Sequence, residues 1–193
     1  MTNAPPVLPD SAPFTPEQRG WLNGYLAATW TGFAGGGGAV AEAPAGHAVT
    51  ILWGSQTGTA EGVAKKMAKK LSAEGHVPTV VDMAEFECEG LSALTHVLII
   101  TSTYGEGEPP DNAADLYEAL MGDAAPELKG LEYSVFALGD NEYPDFCKCG
   151  IEFDERLADL GAKAIAPRID VDVDVDEPFA VWETAVVSSL VIC

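Results

Sequence analysis

Basic residues are what this chain has least of. Ten Lys and Arg stand against thirty Asp and Glu, a formal net charge of −20 at pH 7. The shortage is local: residues 1–81 carry five acids and five bases, residues 82–193 twenty-five acids and five bases, so the whole excess lies in the second stretch. Such a surface repels nucleic acid and anionic membrane, which argues against both as partners, and suits a basic protein surface. Long apolar runs are also missing. Nothing approaches the roughly 20 residues that span a bilayer, and the N-terminal MTNAPPVLPDSAPF has neither the basic nor the apolar region of an export signal. The four cysteines, Cys88, Cys147, Cys149 and Cys193, lack the paired spacing of a zinc site. The expectation is reduced, incidental thiols in a cytoplasmic protein. Two phosphate fingerprints are absent as well: G-x-G-x-x-G, and the Lys of G-x-x-x-x-G-K-[ST].

Residues 48–71, AVTILWGSQTGTAEGVAKKMAKKL, nevertheless read as an anion site, the plainer alternative being an ordinary βα turn, where Ser, Thr and Gly are common. Val49, Ile51, Leu52 and Trp53 form a short strand-type run. Val63, Met67 and Leu71 then recur at helical spacing, with Lys65, Lys66, Lys69 and Lys70 on the other faces. The turn between them, Gly54-Ser55-Gln56-Thr57-Gly58-Thr59, feeds a helix N-terminus, where unpaired N–H groups and the helix dipole favour negative charge. Ser55, Thr57 and Thr59 add hydroxyl donors. A cradle without cations suits a monophosphate on a tightly seated cofactor better than a triphosphate with magnesium.

The chain divides into three by composition. Residues 1–34 are a Pro-rich extension followed by a helix, with Thr15 as N-cap, Pro16 at N1 and Gln18 closing a capping box. Trp21, Leu22, Tyr25, Leu26 and Phe33 give that helix an apolar stripe. Residues 35–46 are a Gly/Ala linker. From residue 47 strands and helices alternate. Strands are expected at Val77–Val81, His96–Thr101, Tyr133–Leu138 and a short piece near Ala164–Pro167. Helices are expected over Asp111–Leu120, over Phe146–Leu160 with Ile151, Phe153, Leu157 and Leu160 inward, and from Glu177 with Phe179, Trp182, Val186 and Leu190 apolar. Five strands alternating with helices predict a doubly wound parallel sheet with helices on both faces.

In such sheets ligands bind beyond the carboxyl ends of the strands. Three strands end there in unusual loops. Besides the first turn, Thr101–Asn112 reads T-S-T-Y-G-E-G-E-P-P-D-N and Leu138–Cys147 reads L-G-D-N-E-Y-P-D-F-C. Each of these two delivers a tyrosine to the same edge, which suggests a flat ring held between them. His47, His76 and His96 lie outside all three loops and read as structural.

Together S-Q-T-G-T-A, S-T-Y-G-E-G and L-G-D-x-x-Y-x-x-F-C resemble the flavodoxin-like FMN-binding domain of diflavin reductases. Within that group the likeness is to the flavoprotein (alpha) subunit of NADPH-dependent sulfite reductase, a likeness shared by R-I-D-V-D-V-D and by the N-terminal F-T-P-E-Q-R-G-W-L-N-G-Y-L. The resemblance covers residues 48–190. It implies a flavodoxin-like sheet of order 2-1-3-4-5 and FMN as cofactor. Ser55, Gln56, Thr57, Gly58, Thr59 and Ala60 would then hold the phosphate. Ser102, Thr103, Tyr104, Gly105 and Gly107 would line one side of the flavin. Leu138, Gly139, Asp140, Tyr143, Phe146 and Cys147 would line the other, with Tyr143 stacking and Asp172 approaching from the last loop.

The implied role is one-electron transfer from an FAD/NADPH reductase module, in cis or in trans, to a basic-faced haem or iron–sulfur acceptor such as a sulfite reductase hemoprotein. The family's diflavin enzymes continue into that reductase module. Ending on Leu190-Val191-Ile192-Cys193, this chain reads as an excised or separately encoded domain, or one working with a detached reductase. Two other readings compete, and a third is set aside. A free-standing NAD(P)H–quinone reductase on the same fold needs a nicotinamide-binding feature, and none is visible. A non-redox assembly module needs degenerate loops, and these are intact. A phosphoacceptor domain needs an acidic pocket after the first strand, where this chain has Gly54-Ser55.

Overall fold

The structure is a computed structural model that describes Thr15 and residues 46–190. The expected N-terminal helix beyond Thr15 and nearly all of the linker lie outside the described residues. From residue 46 the order is β1 (Ala48–Gly54), α1 (Thr59–Ala73), β2 (Val77–Asp82), β3 (His96–Ser102), α2 (Ala114–Met121), β4 (Glu132–Leu138), α3 (Lys148–Asp159), β5 (Lys163–Ala164), β6 (Ile169–Val171) and α4 (Asp176–Ser189). Short 3₁₀ turns at Met83–Glu85, Cys88–Ala93 and Asp111–Ala113 fill the connections. The strands pair in parallel in the order 2-1-3-4-5. Among the described residues no helix is long and apolar enough to cross a membrane.

The central strands are mostly apolar because both faces are covered. On β3, Val97 and Ile99 enter the core under α2 and α3, while Leu98 and Ile100 enter the core under α1 and α4. On β4, Tyr133, Val135 and Ala137 face the first core, and Phe136 and Leu138 the second. Ser134 on β4 is one of the few buried polar residues of these strands, and its hydroxyl both accepts and donates. Trp182 Nε1–H donates to Ser134 Oγ at 2.8 Å, and the Ser134 hydroxyl donates to the Ala166 carbonyl at 3.2 Å. That bond seats the large buried ring of α4 on the sheet. The α1 helix buries Ala60, Val63, Ala64, Met67 and Leu71, one stripe at helical spacing, and keeps its lysines outside.

Two expectations shift. The fifth strand is two pieces. β5 pairs with Glu132 and Tyr133, and β6 pairs with Phe136–Leu138, so both lie along the same edge of β4. Pro167, between them, has no N–H to give to a ladder. The second change is at α3, which starts at Lys148 rather than Phe146, because Cys147 sits in the left-handed region at φ 55°. Ile151 is half-buried there, while Phe153 and Leu157 are wholly buried.

The three histidines gather at the opposite end of the sheet, where strands begin. The His47 and His76 rings stack at 5.6 Å, and the His47 and His96 ring centroids lie 4.6 Å apart. The His47 backbone N–H donates to His76 Nδ1 at 3.1 Å, and His96 Nε2 lies 3.2 Å from Glu132. Burial, aided by the neighbouring His47, lowers the pKa of both His76 and His96 below the ordinary 6.5, and for His96 this outweighs the opposing pull of Glu132. The unfolded chain therefore takes up protons below 6.5 that the folded chain refuses, so these groups withdraw stability as pH falls through that value. Urea unfolding at about pH 7.5 and about pH 5.5 should show wild type losing more stability on acidification than a His76→Gln/His96→Gln variant. Equal losses would mean that the cluster does not titrate with folding.

Candidate functional site

The parallel register ends four loops at one edge. Gly54 pairs with Thr101, Ser102 with Leu138, and Leu138 with Val171, so the segments after β1, β3, β4 and β6 all leave together. Backbone bonds tie them to one another: Thr103 N–H donates to the Leu138 carbonyl at 3.0 Å and Gly139 N–H to the Val171 carbonyl at 2.8 Å. Between them lies a cavity of about 710 Å³, within the range of roughly 300–1,000 Å³ usual for cofactor sites.

Its wall is built from Thr57 and Thr59, Ser102–Gly105, Leu138–Asp140, Tyr143, Asp145, Cys147, Asp172, Val173 and Val175. At one end the Thr57 and Thr59 hydroxyls lie 3.3 Å apart beside the N-terminus of α1. The other residues expected around a phosphate are used differently. Ser55 Oγ accepts the N–H of Gly58 at 3.0 Å and of Ala60 at 3.5 Å, and so shapes the loop from inside. Gln56 turns outward, with Nε2 donating to Asp111 at 2.9 Å and Oε1 accepting the Asp111 N–H at 3.2 Å. Gly58 and the buried Ala60 are not in the wall.

Tyr104 and Tyr143 are 55% and 59% exposed, large rings left in the open at the cavity. Tyr104 opens a tight hairpin closed by its bridge to Glu108. Gly105 at φ 56° and Gly107 at φ 101° occupy the left-handed positions that let the chain reverse. Gly107 itself is buried against the side chain of Lys148 and Asp145 Cβ, outside the wall. Gly139 is required for contact: a Cβ there would stand 2.8 Å from both the backbone nitrogen and the sulfur of Cys147. Phe146 packs into the core beside α3 and is likewise absent from the wall.

The wall holds no Lys or Arg and three carboxylates, Asp140, Asp145 and Asp172. An anionic end group must therefore be held by hydroxyls, backbone N–H groups and the helix dipole. The negative charge lies among the residues of the tyrosine loops and of the segment after β6. Such a donor set fits a planar aromatic ring carrying one phosphate tail. Cys147 and Cys149 take no reactive part in it. Burial pushes both thiols up to about 12, and Cys147 Sγ–H donates to the Ala137 carbonyl at 3.3 Å. Among the described residues no group of His, Cys, Asp and Glu could hold a metal.

Residues 51–182 match the family model for flavodoxin. The chain belongs to the flavodoxin family. The family is one of FMN-binding electron-transfer proteins, and this domain has the family's sheet order and cofactor. The sulfite reductase [NADPH] flavoprotein alpha-component of Bacillus subtilis (strain 168) is 46% identical over 184 residues, which is 91% of this chain and 30% of that protein. The same component of Shewanella sp. (strain ANA-3) is 44% identical over 177 residues, 90% of this chain and 29% of that protein. The chain thus spans about three tenths of the length of these relatives. Among solved structures, a flavodoxin of Streptococcus pneumonia TIGR4 superposes with a TM-score of 0.66 at 30% identity, over 74% of this chain and 97% of that one. A cysteine-to-serine mutant of flavodoxin from Pseudomonas aeruginosa gives 0.65 at 34%, over 74% and 98%.

Asp145, Val173 and Val175 are wall residues that sequence reasoning did not single out. The signal for the two valines was the Val/Asp alternation that starts in R-I-D-V-D-V-D and runs one residue further to Val175, which is β6 and its continuation rather than a loop after a single fifth strand. The thiol assignment gives a direct test for this flavodoxin domain. Native protein at about pH 8 treated with a maleimide should carry no label on Cys147 or Cys149 by peptide mass mapping, and full label on both after denaturation. Labelling of either in the native state would place it in a reactive, open setting.

Proposed function

We propose that the domain holds FMN with its phosphate at Thr57, Thr59 and the N-terminus of α1 and its ring between Tyr104 and Tyr143. It then relays single electrons from an FAD/NADPH reductase module, in cis or in trans, to a metal-centred acceptor such as a sulfite reductase hemoprotein. The observation that carries this reading is the pair of open tyrosines facing one cavity whose other end is a cation-free anion loop. Relatives of sulfite reductase flavoprotein type at 46% and 44% identity support the choice of acceptor class, and a cytoplasmic setting accords with the buried, protonated thiols.

The bound flavin supplies the redox chemistry. The chain's residues bind, orient and bias. Tyr143 and Tyr104 offer ring faces for stacking. Asp140, Asp145 and Asp172 make added negative charge at the ring costly, which lowers the potential for taking up the last electron. Exposed carboxylates around the mouth, Glu106, Glu142, Asp174 and Asp176, complement a basic partner. A contact of that kind is fast, weak and weakened further by salt.

Purified protein should show flavin absorbance and release FMN on denaturation. Anaerobic titration with a reductant should resolve two separate one-electron steps. Tyr143→Ala should weaken FMN binding about tenfold, the order expected for losing one stacking face. Failure to carry or take up FMN would overturn the reading, and a single two-electron step would favour a hydride-accepting enzyme instead.

A further inference from the structure

The loop that receives the anion has no cation of its own, so its grip depends on several modest donors converging. Their convergence is set from elsewhere in the chain. Asn112, on the 3₁₀ turn after the Tyr104 loop, reaches 57 residues back in sequence and accepts the Ser55 backbone N–H on Oδ1 at 2.9 Å. Its Nδ2 donates to the Trp53 carbonyl at 3.3 Å and to Asp82 Oδ1 at 2.8 Å. Acceptor and donors are thus all engaged, and the amide has one orientation that satisfies the three partners. Asp82 Oδ1 is itself fixed by the Ala84 N–H at 3.0 Å. The ends of β1 and β2 and the start of the anion loop are therefore joined through one side chain.

Ser55, held at its backbone by Asn112, uses its hydroxyl oxygen to gather the N–H groups of Gly58 and Ala60. The chain of dependence runs Asp82, Asn112, Ser55, Gly58. Beside it the reciprocal pair of bonds between Gln56 and Asp111 stitches the same two segments again at the surface.

We propose that Asn112 is a positioning residue that pre-shapes the 55–59 loop for a phosphate monoester and couples that loop to the segment carrying Tyr104. The inference rests on the FMN reading of the site. Asn112 is not in the cavity wall, so it acts on the ligand only through Ser55. Its effect must fall on the phosphate and spare the ring. Pre-organisation of this kind raises affinity without adding a contact, because the loop's ordering cost is met before the ligand arrives.

Riboflavin, which has the ring and lacks the phosphate, separates the two. The 193-residue chain, stripped of flavin, is titrated with FMN and with riboflavin by fluorescence quenching in wild type, Asn112→Ala and Asn112→Asp. Asn112→Asp keeps the shape, removes both donors and sets a carboxylate against Asp82. The expected result is FMN affinity lowered about tenfold in both variants, the worth of one or two lost hydrogen bonds, with riboflavin affinity changed by less than about twofold. Amide hydrogen exchange should quicken at Ser55 in the same variants. Equal losses for the two ligands, or unchanged FMN affinity, overturn the proposal. If Asn112→Ala does not fold, the near-isosteric Asn112→Asp decides. If neither folds, Asn112 is a structural residue and the proposal falls. Wild type that binds FMN no better than riboflavin would instead refute the phosphate assignment, and Ser55 exchange in the variants would still report whether Asn112 holds the loop.

Discussion

The arrangement depends on β1 and β3 lying side by side in parallel while the chain leaves them towards opposite faces. From Gly54 it turns into α1 on one side of the sheet, and from Ser102 it travels through the Tyr104 hairpin into α2 on the other. A right-handed crossover rule leaves no other route for an order of 2-1-3-4-5. The divergence opens a crevice at the strand ends, and a doubly wound sheet places its ligand there. Everything else at the mouth, from the paired threonine hydroxyls to the two open tyrosines, is furniture for a space that topology has already made.

How the space is charged follows from composition. The Lys side chains of α1 lie on its outer faces, where Lys66 meets Asp176 at 3.1 Å and Lys70 meets Glu74 at 3.0 Å. None lines the cavity. The threonine end is thus positive only through backbone dipoles and hydroxyls, and the tyrosine end is negative through Asp140, Asp145 and Asp172. A ligand with an anionic tail and a neutral ring is oriented by that polarity. A ring that gains charge on reduction meets resistance from it. In the proposed role, one distribution of charge serves both seating and redox bias.

Much of this was legible in the sequence. The apolar run HVLIIT announced a strand covered on both faces, and the stripe Val63, Met67, Leu71 fixed the buried face of α1. The three loops stood out because each joins glycine turns to hydroxyls or a tyrosine just past the end of a strand. What was hidden is what depends on distant contacts. Nothing local distinguishes Ser55, whose hydroxyl turns into the loop, from Thr57, which faces the cavity. Nothing in Asp111-Asn112-Ala113 marks the middle residue as the partner of one beside β1. Cys147 in the left-handed region shortened α3 by two residues, which periodicity cannot foresee. The split of the fifth strand had a visible cause in Pro167, yet the pairing of Ile169–Val171 further along β4 needed the twisted sheet to be seen.

That split edge also bears on how the molecule behaves in a crowded solution. A sheet's outer strand normally offers an unbroken row of N–H and C=O groups to any passing extended chain. Here the outer row along β4 consists of a two-residue piece and a three-residue piece with a proline between them. Arg168, bridging Asp154 and Asp170, stands over the interruption. An incoming strand finds no register long enough to hold. The same economy that brings Asp172 and Val173 to the cavity therefore leaves this side of the sheet a poor template for aggregation.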